Sequence, residues 1–244
     1  MSATPLNTQP LNLALRGADV FMNGRKLSWE ARRLGDMRAV LYDSNFLSSA
    51  DKKTSLYFMY RDLSPDARKF DVRYDITVLL PLKLGAEFNK TLGHYHSVAR
   101  AGLSYTEIYE VLSGRAHYLL QKLEGGKVAD AVMLDAKKGD VVLIPPNYGH
   151  VTINAGAEPL AMANLVSSKL KSLYEPYEKM RGAAYFELAD GRIVKNENYG
   201  TTLPELKTLP APKRKLAAAN ILDAFLRNPR AFEFLNDPTK FISP

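Results

Sequence analysis

The sequence predicts an all-β protein, one barrel or sandwich flanked by short N-terminal elements and a helical C-terminal tail. Three observations carry that prediction. From Val72 to about Tyr199, short apolar runs follow one another at turn-punctuated intervals. The chain has 244 residues, 46% of them hydrophobic, enough to bury one sizeable core, and all-β barrels of this length are often single domains. Four residues of metal-ligand type, His94, His96, Glu107 and His150, recur at spacings that suit strands lying side by side.

Taken in order, residues 1–70 read as a decoration packed on the barrel, with a short helix expected over Trp29 to Arg38 and a strand over Thr54 to Met59. Val72 to Leu82 is β-rich. In Glu107-Ile108-Tyr109-Glu110-Val111-Leu112, Glu107, Tyr109 and Val111 share one face, while Ile108, Glu110 and Leu112 share the other. Gly114, inside Ser113-Gly114-Arg115, makes the turn into the run from Ala116 to Gln121. Gly139 to Asn154 reads as a hairpin-like unit: a turn glycine, an apolar strand, the Pro145-Pro146 pair and a returning strand that opens with His150. Ala183 to Leu188 and Ile193 to Asn196, joined at Asp190-Gly191, predict a second hairpin. Thr201 to Pro212 is a proline-containing linker. Lys215 to Arg227 has helical apolar spacing at Leu216, Ala219, Ile221, Leu222, Phe225 and Leu226, and Pro229 opens a further short helix. The expected division is therefore 1–70, a barrel over 71–200 that carries the site, and a linker and helical tail over 201–244.

Composition excludes some functions. With no cysteine, the chain has neither disulfides nor thiolate ligands. Met1 to Gly17 lacks the apolar core of a signal peptide and no apolar stretch is long enough to span a bilayer, so a cytoplasmic protein without a membrane partner is expected. The net charge of +7 invites a nucleic-acid partner, but lysines and arginines are interleaved with acids and the densest cluster, Lys213-Arg214-Lys215, follows a proline-rich linker. That pattern is a solvated face rather than a nucleic-acid footprint. Excess positive charge also suits an anionic small substrate.

The chemistry converges on the four ligand-type residues. In Gly93-His94-Tyr95-His96 the two imidazoles, at i and i+2 of an extended strand, point to one face with Cα atoms roughly 6.5 Å apart. The chain has only four histidines and three belong to this set. The fourth, His117, reads as a partly buried neighbour rather than a fifth ligand. Three histidines and one carboxylate leave positions of a divalent ion open to substrate oxygens, and mixed N/O ligation suits Fe, Mn, Ni or Zn.

These two blocks resemble the paired motifs of the cupins. The first is His-x-His, a glutamate and a later glycine, matched by His94, His96, Glu107 and Gly114. The second is matched by Gly139, Pro145, His150 and Asn154. Phe88 and Asn147 stand where the motifs have glycine, and the stretch from Ser97 to Thr106 is longer than the common form, reading as an extended loop. Asn147 tolerates the left-handed backbone such a position requires. More narrowly, Asp75 to Val78, Asn89 to His96, Tyr105 to Glu110 and Pro145 to His150 resemble the cupin-type phosphoglucose isomerases of archaea and some bacteria.

That resemblance implies a cupin jelly-roll barrel and a metal-dependent isomerase interconverting glucose 6-phosphate and fructose 6-phosphate, in glycolysis and gluconeogenesis, with one divalent ion per chain. A homodimer is expected. It implies metal ligation by His94, His96, Glu107 and His150, phosphate binding by Thr77, Thr91, the Gly93 backbone and Tyr174, and Tyr109 facing the sugar beside the metal, so that Glu107 and Tyr109 are the catalytic candidates. Two aromatic positions of the archaeal members, a tyrosine and a histidine, fall on Val166 and Ser172 here, which leaves ring opening without its residue and Tyr177 as a candidate substitute. Lys90, Lys169 and Lys171 read as solvent-facing. Glu107 could act as the base of an enediol route or stay a ligand while hydride moves between carbons; both are compatible with the set. Rival readings are a mannose-6-phosphate isomerase or epimerase, a cupin dioxygenase, and a sugar-binding cupin without turnover.

Overall fold

A computed structural model of the chain describes residues 2–213, 216 and 218–241. Two antiparallel sheets form its centre. The six-stranded sheet runs, from one edge to the other, Val141–Ile144, Glu107–Ser113, Leu160–Ser167, Val72–Leu79, Ser55–Tyr60 and Glu30–Arg33. The four-stranded sheet runs Tyr148–Ile153, Arg115–Glu124, Lys127–Lys137 and Lys207–Pro210, the last joined in parallel. The chain passes repeatedly between the two, at Gly114, before Val141, at Pro145-Pro146 and before Leu160, which is the strand-switching course of a jelly roll. Gly114 makes its crossing with φ at +84°, and a Cβ there would stand 3.2 Å from Leu160 Cα. Only glycine fits that turn without strain.

One apolar cluster fills the space between the sheets with Tyr57, Tyr109, Val111, Tyr118, Leu120 and Ile144 and continues onto the other face of the four-stranded sheet with Met133 and Val151. The outer face of the six-stranded sheet is covered as well. Tyr74, Ile76, Ile108, Leu112, Ala163 and Leu165 pack there against Leu13 and Val20 of the N-terminal strands and against Ile221, Leu222, Phe225 and Leu235 of the tail. A strand buried on both faces needs apolar residues at nearly every position, and Leu-Ala-Met-Ala-Asn-Leu-Val-Ser over 160–167 has them, every residue buried.

Several local expectations change. Trp29 to Arg38 is not one helix: Glu30–Arg33 is a strand paired with Ser55–Tyr60, and a 3₁₀ helix follows over Leu34–Val40. Both strands belong to the six-stranded sheet, so the sheet draws on residues before 70. Val141–Ile144 and Tyr148–Ile153 do not pair with each other as a hairpin. The first pairs with Glu107–Ser113 and the second with Arg115–Glu124, because the double proline carries the chain across to the facing sheet. The stretch from Ser97 to Thr106 is a small hairpin, Val98–Arg100 with Leu103–Ser104, whose base is held where Thr106 Oγ1 donates to the Phe234 carbonyl at 2.9 Å. The supposed linker contains the strand Lys207–Pro210. The tail helix spans Ile221–Arg227, capped by the Asn220 side chain accepting from the Asp223 amide, and a 3₁₀ helix opens at Pro229. Of the expected helix and the basic cluster before it, Arg214, Lys215 and Ala217 lie outside the described residues. Tyr185–Glu187 and Ile193–Lys195 form the expected hairpin.

Candidate metal and active site

His94 and His150 pair in an isolated bridge, and Glu107 opens a strand of the facing six-stranded sheet. One ligand atom from each of His94, His96, Glu107 and His150 lies within 4.8 Å of every other. An ion with ligands at about 2.0–2.2 Å places them at most roughly 4.4 Å apart, so the cluster needs a contraction of only a few tenths of an ångström to close on one. Gly93 sets the approach. Its φ is +85°, and a Cβ would sit 2.6 Å from Val151 Cγ2 and 3.1 Å from the Tyr177 ring, so any side chain would push His94 away from the strand that carries His150. Asn147 holds φ at +67°, as its motif position requires.

The hydrogen bonds around the cluster fix which atoms point inward. His96 Nδ1 lies 2.8 Å from the Tyr105 carbonyl, which can only accept, so Nδ1 carries the proton and Nε2 presents a lone pair. That lone pair faces Glu107 Oε2 at 3.3 Å, and His150 Nε2 faces the same oxygen at 3.5 Å. Asn164 Nδ2 donates to the other oxygen, Oε1, at 2.7 Å. His96 Nε2, Glu107 Oε2 and both nitrogens of His150 are buried without hydrogen-bond partners. Unpaired buried polar atoms cost about 1–3 kcal/mol each, and three of these, His96 Nε2, Glu107 Oε2 and His150 Nε2, converge as the ligand atoms of a cation would.

Burial and the neighbouring imidazoles hold His94 well below its ordinary pKa, and burial lowers His150 to about 4. Both are therefore neutral and ready to ligate at physiological pH. Burial would raise the Glu107 carboxyl, but the electrostatic surroundings, His96 first, then His150 and Arg73, outweigh it and hold the group below the usual range. Tyr109 is pushed well above 10 by burial and by the Glu107 charge, so it is a neutral phenol able to donate.

The cluster lies in the wall of a cleft that opens to solvent. The lining brings together His94, Glu107, Tyr109 and His150 with Thr77, Thr91, Gly93 and Tyr174. Ser172 lines the cleft too, whereas Val166 is buried in its strand and pairs with Arg73. Tyr177 does not reach it: the ring is fully buried, packs at a tilt 5.2 Å from Tyr95 behind Gly93, and cannot replace an imidazole in the cavity. Lys90 is not solvent-facing. It is buried, ion-paired with Glu87, and donates to the Val40 carbonyl at 2.8 Å. Lys169 is exposed and paired with Asp71, and Lys171 is exposed. His117 is partly buried against Glu187 at 2.8 Å, away from the cluster.

Sequence reasoning missed Asn164, Thr152, Arg61 and Arg73, all of which line the cleft. Asn164 had a signal: it is the one amide in the apolar strand Leu160–Ser167.

The glucose-6-phosphate isomerase (GPI) family model matches residues 31–203. The chain belongs to that family. Among curated members, the glucose-6-phosphate isomerase of Thermococcus gammatolerans is 34% identical over 128 residues, covering 52% of this chain and 64% of its own length. That of Pyrococcus abyssi is 35% identical over 130 residues with the same coverage. That of Thermococcus litoralis is 27% identical over 168 residues, 68% of this chain and 84% of the relative. Against the first two, the chain spans 64% of the relative's length. The family match takes in the cleft-forming strands and ends before Lys207–Pro210, the edge strand of the four-stranded sheet, and the tail. Among solved structures, Bacillus subtilis oxalate decarboxylase is similar with a TM-score of 0.37 and 21% identity over 52% of this chain and 30% of its own, a likeness too slight to bear on the function. No helix among the described residues is long and apolar enough to cross a membrane.

Proposed function

We propose that this protein is a metal-dependent aldose-ketose isomerase that interconverts glucose 6-phosphate and fructose 6-phosphate. The observation that carries the reading is the set of four inward-pointing ligand residues, with orphaned buried atoms, in a polar cleft of a chain that belongs to the glucose-6-phosphate isomerase family. The polar and cationic lining favours a phosphorylated sugar over the apolar substrate of a dioxygenase.

His94, His96, Glu107 and His150 would hold the divalent ion, whose chemistry when bound is Lewis-acid stabilisation of the oxyanion that develops at O1 or O2. The protein's own groups supply the rest. Tyr109, a neutral phenol on the same strand face as Glu107, donates a hydrogen bond to a sugar oxygen. Asn164 fixes Oε1 of Glu107 and leaves Oε2 as the oxygen that either ligates or takes the proton from carbon. Thr91 Oγ1 accepts from the Thr152 amide at 2.9 Å, so its own proton is free to donate to phosphate. Ser172, at the place of the relatives' histidine, is too weak a base for its role.

A coupled assay with fructose 6-phosphate under anaerobic conditions tests the reading. Exhaustive chelation should abolish turnover and added Mn, Fe, Ni or Zn should restore it. Activity that persists at verified negligible metal content would overturn the metal role, and no turnover in any metal-loaded form would overturn the isomerase. A cytoplasmic homodimer belongs to the same reading, and sedimentation analysis checks the dimer.

A further inference from the structure

The cleft wall carries a guanidinium pair beyond the residues that the family resemblance implies. Arg73, Asp75 and Thr77 alternate along Val72–Leu79 and so share the face between the sheets, Met59 lies on the neighbouring strand Ser55–Tyr60, and Arg61 directly follows that strand's end; Met59, Arg61, Arg73 and Thr77 all line the cleft. Arg61 Nη1 donates to Asp75 Oδ2 at 3.0 Å, Arg73 Nε donates to the same oxygen at 2.8 Å, and Asp75 Oδ1 accepts the Asp62 amide at 2.8 Å. Asp75 is completely buried. One carboxylate thus anchors two cations, and the triad keeps one net positive charge.

Neither guanidinium is consumed by its anchor. Each has five N–H donors, and both line the cleft with side chains 37% and 23% exposed for Arg61 and Arg73. Arg61 folds back along its strand until Nη2 is 3.0 Å from Met59 Sδ. Met59 is the register partner of Thr77, so this guanidinium comes to the level of the threonine. The phosphate contacts that the resemblance implies, Thr77, Thr91, the Gly93 amide and Tyr174, are all neutral. A phosphate monoester carries nearly two negative charges at neutral pH. Neutral donors alone leave that charge uncompensated in a partly desolvated cleft, whereas arginine offers charge and forked geometry together.

We propose that Arg61, with Arg73 beside it and Asp75 as their common anchor, is the charged half of the phosphate subsite and makes the cleft selective for phosphorylated over free sugars. The identity of the ligand rests on the isomerase reading; the anion site itself does not.

The test compares wild type, Arg61→Met and Arg61→Lys, each shown folded by thermal melting and by unchanged metal content. Arg61→Lys keeps a cation on Asp75 and guards against a folding failure of the methionine variant. Calorimetric binding of inorganic phosphate and steady-state kinetics with fructose 6-phosphate are the readouts. Arg61→Met should weaken phosphate binding and raise KM by about tenfold to a hundredfold with kcat little changed, and Arg61→Lys should fall between. Unchanged phosphate affinity and KM in Arg61→Met, or a loss confined to kcat, would overturn the proposal and leave the isomerase standing. Arg61-dependent phosphate binding in a wild-type protein that never turns over fructose 6-phosphate would overturn the isomerase and leave the anion site.

Discussion

Two of the buried polar clusters in this molecule differ in one respect. Behind Leu92, Lys90 pairs with Glu87 and donates to the Val40 carbonyl, while Glu87 Oε1 accepts the Tyr42 amide at 2.8 Å, so every charged atom has a partner. In the cleft, Glu107, His96 and His150 approach one another at 3.3–3.5 Å and still leave their inward atoms unpaired. Folding stability alone would select the first arrangement, since an unpaired buried polar atom costs free energy that a partner would recover. The second persists where something outside the chain completes it. Satisfied buried charge marks structure, and convergent unsatisfied charge marks a ligand.

The largest effect that sharpens this contrast is in the cleft. Glu107→Gln keeps the shape and the Asn164 contact but removes charge and basicity. If Glu107 is the base of an enediol route, turnover should fall by about a hundredfold to ten-thousandfold beyond the loss of metal, and wild-type product should carry solvent deuterium. If hydride moves between carbons, deuterium is absent and restoring metal occupancy recovers most of the activity. Metal analysis beside the rate separates the two, and a fully active variant with normal metal would remove Glu107 from the site.

The satisfied cluster should respond in the opposite way. Lys90→Met strands the Glu87 carboxylate in the interior and should cost about 3–5 kcal/mol of stability, with metal content and KM of the folded fraction unchanged. Replacing both partners with apolar residues should recover most of that loss. Denaturant titration measures both, and a Lys90→Met protein of normal stability but raised KM would place Lys90 in the substrate site after all.

Thr91→Val probes the cleft more gently. Losing a charge-assisted contact to phosphate is worth about 1.5–3 kcal/mol, read as a tenfold to hundredfold rise in KM for fructose 6-phosphate. The Thr152 amide also loses its acceptor, so a stability loss of about 1 kcal/mol should accompany it. Unchanged kinetics with that stability loss would make Thr91 purely structural.

What the sequence made legible follows from range. The ligand set could be read because strand alternation is local: His94 and His96 at i and i+2, Glu107 and Tyr109 likewise, with Gly114 and Asn147 marking their turns. Pairing across the chain is not local. Tyr148–Ile153 joins Arg115–Glu124 rather than its neighbour in sequence, and Glu30–Arg33 is extended because Ser55–Tyr60 lies beside it. Charged residues were the hardest to place. Lys90 reads as surface from sequence and Arg61 and Arg73 carry no local signal at all, and only the partners Glu87 and Asp75, brought alongside by folding, explain why they turn inward.

Glu110 lies between the two extremes. It is buried on the outer face of the six-stranded sheet, where Oε2 accepts the Ile221 amide at 2.8 Å and so docks the first turn of the tail helix. Burial raises its carboxyl to about 7, and the Ile221 hydrogen bond offsets only part of that. In the unfolded chain the group releases its proton near 4.3, whereas the folded protein keeps it up to about 7, so across this window the native state binds more protons. Stability contributed by this site is therefore full below the unfolded pKa and is lost as pH rises through the folded one, by about 3–4 kcal/mol at pH 8. Glu110→Gln retains an acceptor for the Ile221 amide and cannot ionise. Denaturant midpoints at pH 5 and pH 8 should converge in the variant and differ in the wild type, with metal content the same in both, because Glu110 faces away from the cleft. Equal pH dependence in the two proteins would mean that the Glu110 carboxylate finds, in the folded state, a partner beyond the Ile221 amide, and would move it to the satisfied side of the comparison.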